Sequence, residues 1–373
     1  MKKRIVFSLV ALCIIAAGLL GAALIGGEIS MRGVRRAWSV VAGVSVNAEY
    51  MFEPGLADVF ADIDGTVVAA GGSGFAAYGR NGAELVRVGS SMRTPIISCG
   101  GGLAAVYDLG SHTVRIVYSD GTVAELPTTG EVTYVAVGSG GEFAVCTAEV
   151  GDYKGYVAFY KMRSGVPTLL YEWYSGEGYV LGAAISSNGK RFAVNTLNAN
   201  GGRIVFLNAG STDVAAEYFN PDGVVLEIDF DTSGTLVART ADGVILISQS
   251  GEAARFDYDG AMPDGYCTAS GFAGVHFEGM QGLTGALVTF DMKGRELARL
   301  QTSRRLVSLT AHGDRIAALW SDGLDVFDKN LRLIASYSDA SGKKYALPRG
   351  GQAVVIMGSR DGRAYAKQEK DEV

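Results

Sequence analysis

The sequence predicts an all-β fold: a β-propeller of eight, alternatively seven, four-stranded blades, closed by an N-terminal strand and preceded by one transmembrane helix. Three observations predict it. Residues 224–259 have the pattern of four short strands in series, similar units recur along most of the chain, and an isolated strand-like run precedes the first unit. The rival architecture, two β-sandwich domains, would need a linker in mid-chain, and no Pro-rich or Ser-rich break occurs there.

The unit at 224–259 consists of the runs VVLEIDF, TLVART, VILISQ and EAARFDYD, separated by the turns DTSG, ADG and SG. Short runs that are rich in β-branched residues and lack proline are typical of strands. Asp-Gly and Ser-Gly steps supply the positive φ angles that tight hairpins need. The unit therefore predicts an antiparallel meander of four strands.

Similar units recur at intervals of about 40 residues, which is the period of four-stranded propeller blades. They begin near Leu56, Arg93, Glu131, Tyr179, Val224, Tyr266, Leu306 and Lys343. The fourth runs align as well, for example AELVRV, EAARFDYD and RELARLQ. Because the unit at Glu131 is long and the unit at Tyr266 is degenerate, seven blades remain the alternative to eight.

The last unit offers only about three strands before the charged C-terminal residues. Residues 47–54, NAEYMFEP, resemble the fourth run AEYFNP at 216–221. Pairing of this N-terminal strand with the last blade would close the ring and leave no long sheet edge exposed. The sequence therefore predicts that the first strand completes the final blade.

The N-terminal segment predicts membrane attachment. Residues 5–27 are uncharged and follow Met1-Lys2-Lys3-Arg4; as a helix they span about 34 Å, enough for the hydrocarbon core. The apolar run is longer than the 7–15 residues of a cleavable signal, although the small residues at 21–23 leave removal as an alternative. We predict a cytoplasmic head (1–4), a signal-anchor helix (5–27) and a juxtamembrane linker (28–45).

The propeller is predicted at 46–367, followed by a charged tail at 368–373. Three basic residues lie on each side of the apolar run, Lys2, Lys3 and Arg4 before it and Arg32, Arg35 and Arg36 after it, so the positive-inside count is nearly tied. A four-residue head before a large folding domain favours export of that domain. The expected localisation is therefore the cell membrane, single-pass, with the C-terminal domain extracytoplasmic.

Composition limits the function classes. The chain has 373 residues, 48% of them hydrophobic, with 52 Gly, 7 Pro and a net charge of −6. The acidic balance argues against a nucleic-acid partner, which would require a basic face. Cys99, Cys146 and Cys267 are far apart and form no CxxC or Cys/His cluster, so neither a metal nor another cofactor is predicted.

Motifs that suggest chemistry are better explained as turns. Asp229 to Gly234 begins like a calcium loop, but Thr240 occupies the position of the bidentate acid. His112 and His312 lie in predicted hairpin turns, and none of the three histidines is predicted to be catalytic. The Gly-rich runs at 71–74 and 100–102 have no helix after them to bind a phosphate.

The long third unit is rich in aromatic residues, and five of them are candidates for a binding patch. They are Tyr153, Tyr156, Tyr160, Trp173 and Tyr174. Aromatic side chains stack on sugar rings and are enriched in protein interfaces. Ordinary packing between blades is the competing explanation. The patch predicts an unidentified partner, either a protein or a cell-envelope glycan.

An N-terminal anchor, a short closing strand and weak WD-like meanders together resemble a domain-of-unknown-function family of bacterial single-pass membrane proteins with a WD-repeat-like or quinoprotein-like β-propeller. The likeness covers nearly the whole chain, and Trp320-Ser321-Asp322 is its nearest match to a Trp-Asp step. The resemblance implies a propeller and a membrane anchor. It implies no activity and no site residues.

The predicted function is that of a membrane-anchored extracytoplasmic binding scaffold, with the helix as its contact to the membrane. The prediction leans against an enzyme. The alternative is a hydrolase or lyase whose acidic residues converge in the central channel, and it requires carboxyl groups with strongly perturbed pKa values. Propellers host many activities, so the fold does not choose between the two.

Overall fold

The computed structural model describes residues 44–148, 150–211, 213–221, 223–279, 284–349 and 353–367. These residues form eight four-stranded antiparallel sheets. The sheets are the blades of a β-propeller, and the first strands of successive blades surround a central channel. The predicted eight-bladed, all-β fold is confirmed, and both seven blades and two sandwich domains are excluded.

Each of the first seven blades is a meander of consecutive strands that runs from the channel outward. The strands of blades 1 to 4 are β2 (Val59–Ile63), β3 (Thr66–Gly71), β4 (Gly74–Tyr78), β5 (Glu84–Gly89); β6 (Pro95–Gly100), β7 (Leu103–Asp108), β8 (Thr113–Tyr118), β9 (Val123–Pro127); β10 (Val132–Val137), β11 (Glu142–Thr147), β12 (Gly155–Arg163), β13 (Val166–Ser175); β14 (Tyr179–Ile185), β15 (Arg191–Asn198), β16 (Gly201–Asn208) and β17 (Val214–Asn220).

Blade 8 combines both ends of the chain. The strands of blades 5 to 8 are β18 (Val225–Phe230), β19 (Leu236–Thr240), β20 (Gly243–Ile247), β21 (Ala253–Asp257); β22 (Pro263–Ala269), β23 (Phe272–Phe277), β24 (Gly285–Asp291), β25 (Glu296–Thr302); β26 (Leu306–His312), β27 (Arg315–Trp320), β28 (Gly323–Asp328), β29 (Leu333–Tyr337); β30 (Tyr345–Pro348), β31 (Val354–Met357), β32 (Asp361–Lys367) and, last in that sheet, β1 (Val44–Met51). A short 3-10 helix, Ser338–Ala340, precedes blade 8.

The closing strand pairs as the sequence predicts. β1 runs antiparallel to β32, from Val44 opposite Lys367 to Met51 opposite Asp361. Tyr50 is fully buried, and it packs with Phe52 into the apolar cluster between blades 8 and 1. A strand from the N-terminal side therefore completes the sheet that the C-terminal residues begin.

Blades pack on one another through both faces of their middle strands. Every residue of β3 and β4 is buried, whereas the outer strand β5 is largely exposed. Among the described residues, a buried apolar cluster lies at each of the eight junctions between neighbouring blades. Hydrophobic burial is thus distributed around the ring, and the junction between blades 8 and 1 contributes like the others.

Antiparallel pairing fixes which strand ends share a face of the ring. β1 begins and β32 ends on the same face of the ring. This face also carries the turn between the first and second strands of each blade, for example the turns at residues 64–65 in blade 1 and 231–235 in blade 5. We call this the termini face. The opposite face carries the connections between second and third strands and those between successive blades, and we call it the distal face.

The predicted anchor helix lies outside the described residues, as do the head, most of the linker and the charged tail. Within the part of the chain that the structure describes, no helix has the length and apolar character needed to cross a bilayer.

Candidate functional site

Three of the five predicted aromatic residues come together at the distal end of blade 3. Tyr153, in the connection between β11 and β12, has its ring centroid 4.8 Å from that of Tyr174 on β13. Tyr156 on β12 lies 5.0 Å from Tyr174. Both Tyr156 and Tyr174 donate hydroxyl hydrogen bonds to the carboxylate of Glu172, the latter at 3.4 Å. We call Tyr153, Tyr156, Glu172 and Tyr174 the tyrosine cluster.

The cluster has a buried base and an exposed surface. Tyr153 is 46% exposed and Tyr174 is 40% exposed, whereas Tyr156 is buried. Burial raises the pKa of the Tyr156 hydroxyl, and the adjacent Glu172 carboxylate raises it further. The hydroxyl therefore stays protonated and keeps donating to Glu172 at physiological pH. This bond fixes the platform on which the two outer rings rest.

The structure does not bring Tyr160 and Trp173 into this cluster. The ring of Tyr160 stacks on Phe143, with centroids 5.1 Å apart, at the junction of blades 2 and 3. Trp173 packs against the apolar cluster between blades 3 and 4. Trp173 precedes Tyr174 on the same strand, so alternation sends the two side chains to opposite faces of the blade.

Two features of the site were not apparent from the sequence. Glu172 acts as the shared acceptor because Tyr156 is paired with Tyr174 across β12 and β13, and that register is not visible in the chain order. Lys154 extends over the ring of Tyr179 on the first strand of blade 4, 5.5 Å from its centroid. The aromatic surface thus continues beyond blade 3.

A second candidate site lies in the channel, where a cavity of about 410 Å³ separates the first strands of blades 5 and 6. Asp229 and Glu227 on β18 line it together with Tyr266 on β22. Asp229 is exposed to the channel, yet the protein that surrounds its carboxyl group limits the solvation of the charge. The resulting loss of solvation raises its pKa to about 6, helped by the negative charges of Glu227 and Asp231.

The charged residues near Asp229 already form ion pairs or hydrogen bonds with other side chains. Arg239 donates to Glu227 over 2.9 Å, and its guanidinium lies 5.8 Å from the centre of the Tyr266 ring. Asp264 lies 2.5 Å from Nδ1 of the buried His276. Asp229 therefore has the perturbed pKa that the enzyme alternative requires, while the acids closest to it in the cavity serve ion pairs or hydrogen bonds.

The termini-face end of the channel opens into a larger cavity of about 810 Å³. Cys99 lines it and is exposed to the channel, but the protein that surrounds the thiol limits its solvation. This loss of solvation raises the pKa of the thiol to about 11, with contributions from the charges of Asp62 and Asp229. The thiol therefore stays protonated and is a poor nucleophile. Arg349 donates to the carboxylate of Asp62 and, over 3.0 Å, to the carbonyl oxygen of Gly65, which ties blade 8 to blade 1.

The calcium-like sequence forms a hairpin turn. Oδ1 of Asp231 accepts hydrogen bonds from the backbone N–H groups of Ser233 and Thr235, at 3.0 and 2.8 Å. Gly234 has φ of +84°, the conformation that glycine adopts readily. His276 is equally structural, since its ring packs edge-on against the buried Trp320 with centroids 5.4 Å apart.

Comparison with solved structures shows the propeller fold. Sqt1 from Saccharomyces cerevisiae superimposes with a TM-score of 0.63 at 10% identity, over 86% of this chain and 98% of that chain. BamB from Moraxella catarrhalis gives 0.57 at 13% identity, over 88% and 99%. Hydrazine synthase of Kuenenia stuttgartiensis gives 0.52 at 13% identity, over 72% and 94%. At such identities the likeness extends to the fold alone.

No curated protein matches the chain in sequence. A family match covers residues 40–361, and its description is "Family of unknown function (DUF5711)". The resemblance to a propeller family of unknown function is therefore confirmed, whereas its single-pass membrane character remains a prediction. The chain belongs to the DUF5711 family.

Proposed function

We propose that this protein is a membrane-anchored, extracytoplasmic binding scaffold whose distal face holds a protein partner. The apolar run at 5–27 supports membrane attachment. Because β1 begins on the termini face, an anchor that precedes it would approach the ring from that side. The distal face would then be directed away from the bilayer and open to other molecules.

The tyrosine cluster is the observation that carries the proposal. Tyr153 and Tyr174 expose nearly half of their surface, although both belong to an ordered group: Tyr153 packs on Tyr174, and Tyr174 packs on Tyr156 and bonds to Glu172. Ordered, half-exposed tyrosines lose little conformational entropy when a partner covers them. Such residues are enriched among those that dominate the binding energy of protein interfaces.

The test combines Tyr153→Ala and Tyr174→Ala in the full chain and measures which proteins crosslink to it in intact cells. We expect the double variant to lose the main crosslinked partner. Leu169→Ala is the matched control, because Leu169 lies on the same strand as Tyr174, is 47% exposed and lies outside the cluster. Unchanged crosslinking in a folded double variant would exclude the cluster. Loss of retention on purified cell-wall polysaccharide instead would identify a glycan ligand.

The anchor and the topology need their own measurement. A C-terminal fusion to a reporter enzyme that is active only outside the cytoplasm should be active, and the protein should stay in the membrane after carbonate extraction. An inactive reporter would contradict the proposed topology. Release of the protein by carbonate would contradict the anchor and favour a cleaved signal.

A hydrolase or lyase that acts in the channel is the second candidate, and the pKa of about 6 at Asp229 favours it. A carboxyl group that is partly protonated near neutral pH can serve as a general acid. Purified protein should then cleave cell-wall polysaccharide fragments, and Asp229→Asn should abolish the cleavage. If wild type and variant are equally inactive on these substrates, this candidate is rejected.

A further inference from the structure

Exposed apolar side chains continue from the tyrosine cluster across the distal face of blades 4 to 6. Five large ones follow it: Tyr179, Phe219, Val224, Leu226 and Met262. Each lies at the distal end of its strand or in a connection on that face, as the strand bounds show. Leu226 is 50% exposed and Met262 is 69% exposed. We call the tyrosine cluster and these five residues the apolar arc.

The termini face has a different character. Exposed large apolar residues at that end of the blades include Leu85, Val166, Val214 and Leu333, which are at the beginnings of outer strands. They lie on the rim of the ring, each on a separate blade. The arc, by contrast, follows four neighbouring blades on one face, which is the distribution expected of an interaction surface. The other large exposed apolar residues of the distal face, Leu109, Val307 and Met51, occur singly on blades 2, 7 and 8.

The connections that surround the arc are acidic. Among the described residues of these connections, from blade 2 to blade 6, six exposed carboxylates stand against one ammonium group, that of Lys154. The carboxylates belong to Glu131, Asp152, Glu177, Asp242, Asp259 and Glu278. Arg203 and Arg255 lie nearby on strands, and each contacts two acids, so they add little free positive charge.

The other half of the distal face is less acidic. Two acids, Asp322 and Asp339, lie in the connections before and within blades 7 and 8, together with five cations: Arg304, Arg305, Lys343, Lys344 and Arg360. Arg304, Lys343 and Lys344 are themselves paired with acids. The net charge of −6 is therefore unevenly distributed, and the apolar arc coincides with the more acidic half of the distal face. Charge and apolar surface together specify what fits there.

We propose that the apolar arc binds a polypeptide segment that presents apolar side chains flanked by lysine or arginine. The inference rests on the proposed function and names the chemistry of its partner. Apolar side chains of the segment would cover the exposed tyrosines, Phe219 and Met262. Its cations would lie against the surrounding carboxylates. Complementary charge of this kind speeds association and rejects acidic competitors.

The first experiment installs a photo-crosslinking benzoylphenylalanine at Phe219 or Met262 in the full-length protein and irradiates intact native cells. Leu85 and Leu333 are the control positions, since they are exposed apolar residues at the termini-face ends of outer strands. We expect a protein adduct from the two arc positions and none from the controls. Mass spectrometry of the adduct should identify a peptide with apolar residues and an excess of lysine and arginine.

The second experiment reverses charge near the arc. Glu131→Lys and Asp152→Lys, combined, should lower the yield of the adduct by at least about tenfold, because two attractive contacts become repulsive. The matched control combines Asp213→Lys and Glu252→Lys, which reverse two exposed charges on the termini face. These changes should leave the yield within about twofold of wild type. Equal thermal midpoints would show that all variants are folded.

The outcomes separate the inference from the proposed function. An adduct with an acidic peptide, with a second copy of this chain or with a glycan overturns the inference, as does an adduct that survives charge reversal near the arc. Adducts only from the control positions overturn it too, while leaving a protein-binding scaffold in place. If no protein is captured from arc or control positions, the proposed function itself fails.

Discussion

Replacing Tyr50 by alanine removes one of the largest fully buried side chains in the protein. Tyr50 lies on the closing strand and contacts both structures that the strand joins. Its ring stacks on Phe52 with centroids 6.5 Å apart and packs edge-on against Tyr78 of blade 1 at 6.4 Å. Its hydroxyl accepts a hydrogen bond from Arg349 at 3.3 Å. The substitution therefore tests whether the closure stabilises the ring.

The expected loss follows from these contacts. Truncation of a buried aromatic side chain to alanine costs about 3–5 kcal/mol, including the cavity that remains. The lost hydrogen bond adds little, because Arg349 keeps its contacts to Asp62 and Gly65. We expect Tyr50→Ala to lower the free energy of unfolding by about 4 kcal/mol. At about 2 °C per kcal/mol for a domain of this size, the thermal midpoint should fall by about 8 °C.

Two control variants isolate the effect. Tyr50→Phe removes only the hydroxyl and should cost about 1 kcal/mol. Met51→Ala changes the next residue of the same strand, which is 57% exposed, and should cost less than about 0.5 kcal/mol. The measurement is thermal unfolding of the full chain, followed by circular dichroism and by fluorescence. If Tyr50→Ala has the same thermal midpoint as Met51→Ala and wild type, the closing strand does not stabilise the ring and the reasoning is refuted.

Three further variants test the closure and the channel. Gly82 has φ of +82°, and an added Cβ would lie 2.0 Å from a backbone oxygen of β1. Gly82→Ala should therefore lower the free energy of unfolding by roughly 3 kcal/mol or more. The control Gly110→Ala should cost about 1 kcal/mol, because φ there is +80° but the space around it is open. Arg349→Met breaks a mostly buried ion pair with Asp62 and should cost about 3–5 kcal/mol, part of which Asp62→Asn should restore. Asp229→Asn should stabilise the protein above pH 6 by about 1–2 kcal/mol, with the gain disappearing below pH 4. The folded-state pKa of about 6 exceeds the ordinary 3.8, so the wild-type protein loses stability as pH rises through that range. The full shift corresponds to about 3 kcal/mol. The expected gain is smaller because Asp229 is exposed to solvent in the channel, which screens its charge.

Thermal or denaturant unfolding of each variant checks these values. Equal losses for the two glycine substitutions would show that the turn of blade 1 does not press against β1. A double variant no more stable than Arg349→Met would show that the buried charge of Asp62 is not the cause of the loss. A gain in Asp229→Asn that is independent of pH would show that the carboxyl group does not titrate with a raised pKa.

The meander and its closure could be predicted because they depend on local chemistry. The turn at Asp231 to Gly234 forms from its own side chain and glycine, and such turns mark strand ends in the sequence. The closing strand was recognisable because residues 47–54 repeat the character of 216–221. Outer strands share an alternation of exposed and half-buried residues, so a separate copy of such a strand can be recognised in the sequence.

The site was less predictable because it depends on register and on side-chain direction. The run of aromatics predicted a patch but did not distinguish Tyr174, which is exposed, from Trp173, which packs between blades. A register shift between Phe159 and Tyr160 further changes how β12 faces β13. The raised pKa of Asp229 arises from its position in the channel, which only the closed ring creates.

The most direct test of the closure, and hence of the assignment of the two faces, is a disulfide across it. Glu49 and Arg363 are opposite each other in β1 and β32, where Cα atoms of antiparallel partners are about 4.5–5.5 Å apart and within disulfide range. In a chain whose Cys13 and Cys99 are replaced by serine, Glu49→Cys with Arg363→Cys should form an intramolecular disulfide on mild oxidation. Glu49→Cys with Arg299→Cys, on blade 6, should not. Absence of the first crosslink, or equal formation of both, would contradict the closed ring.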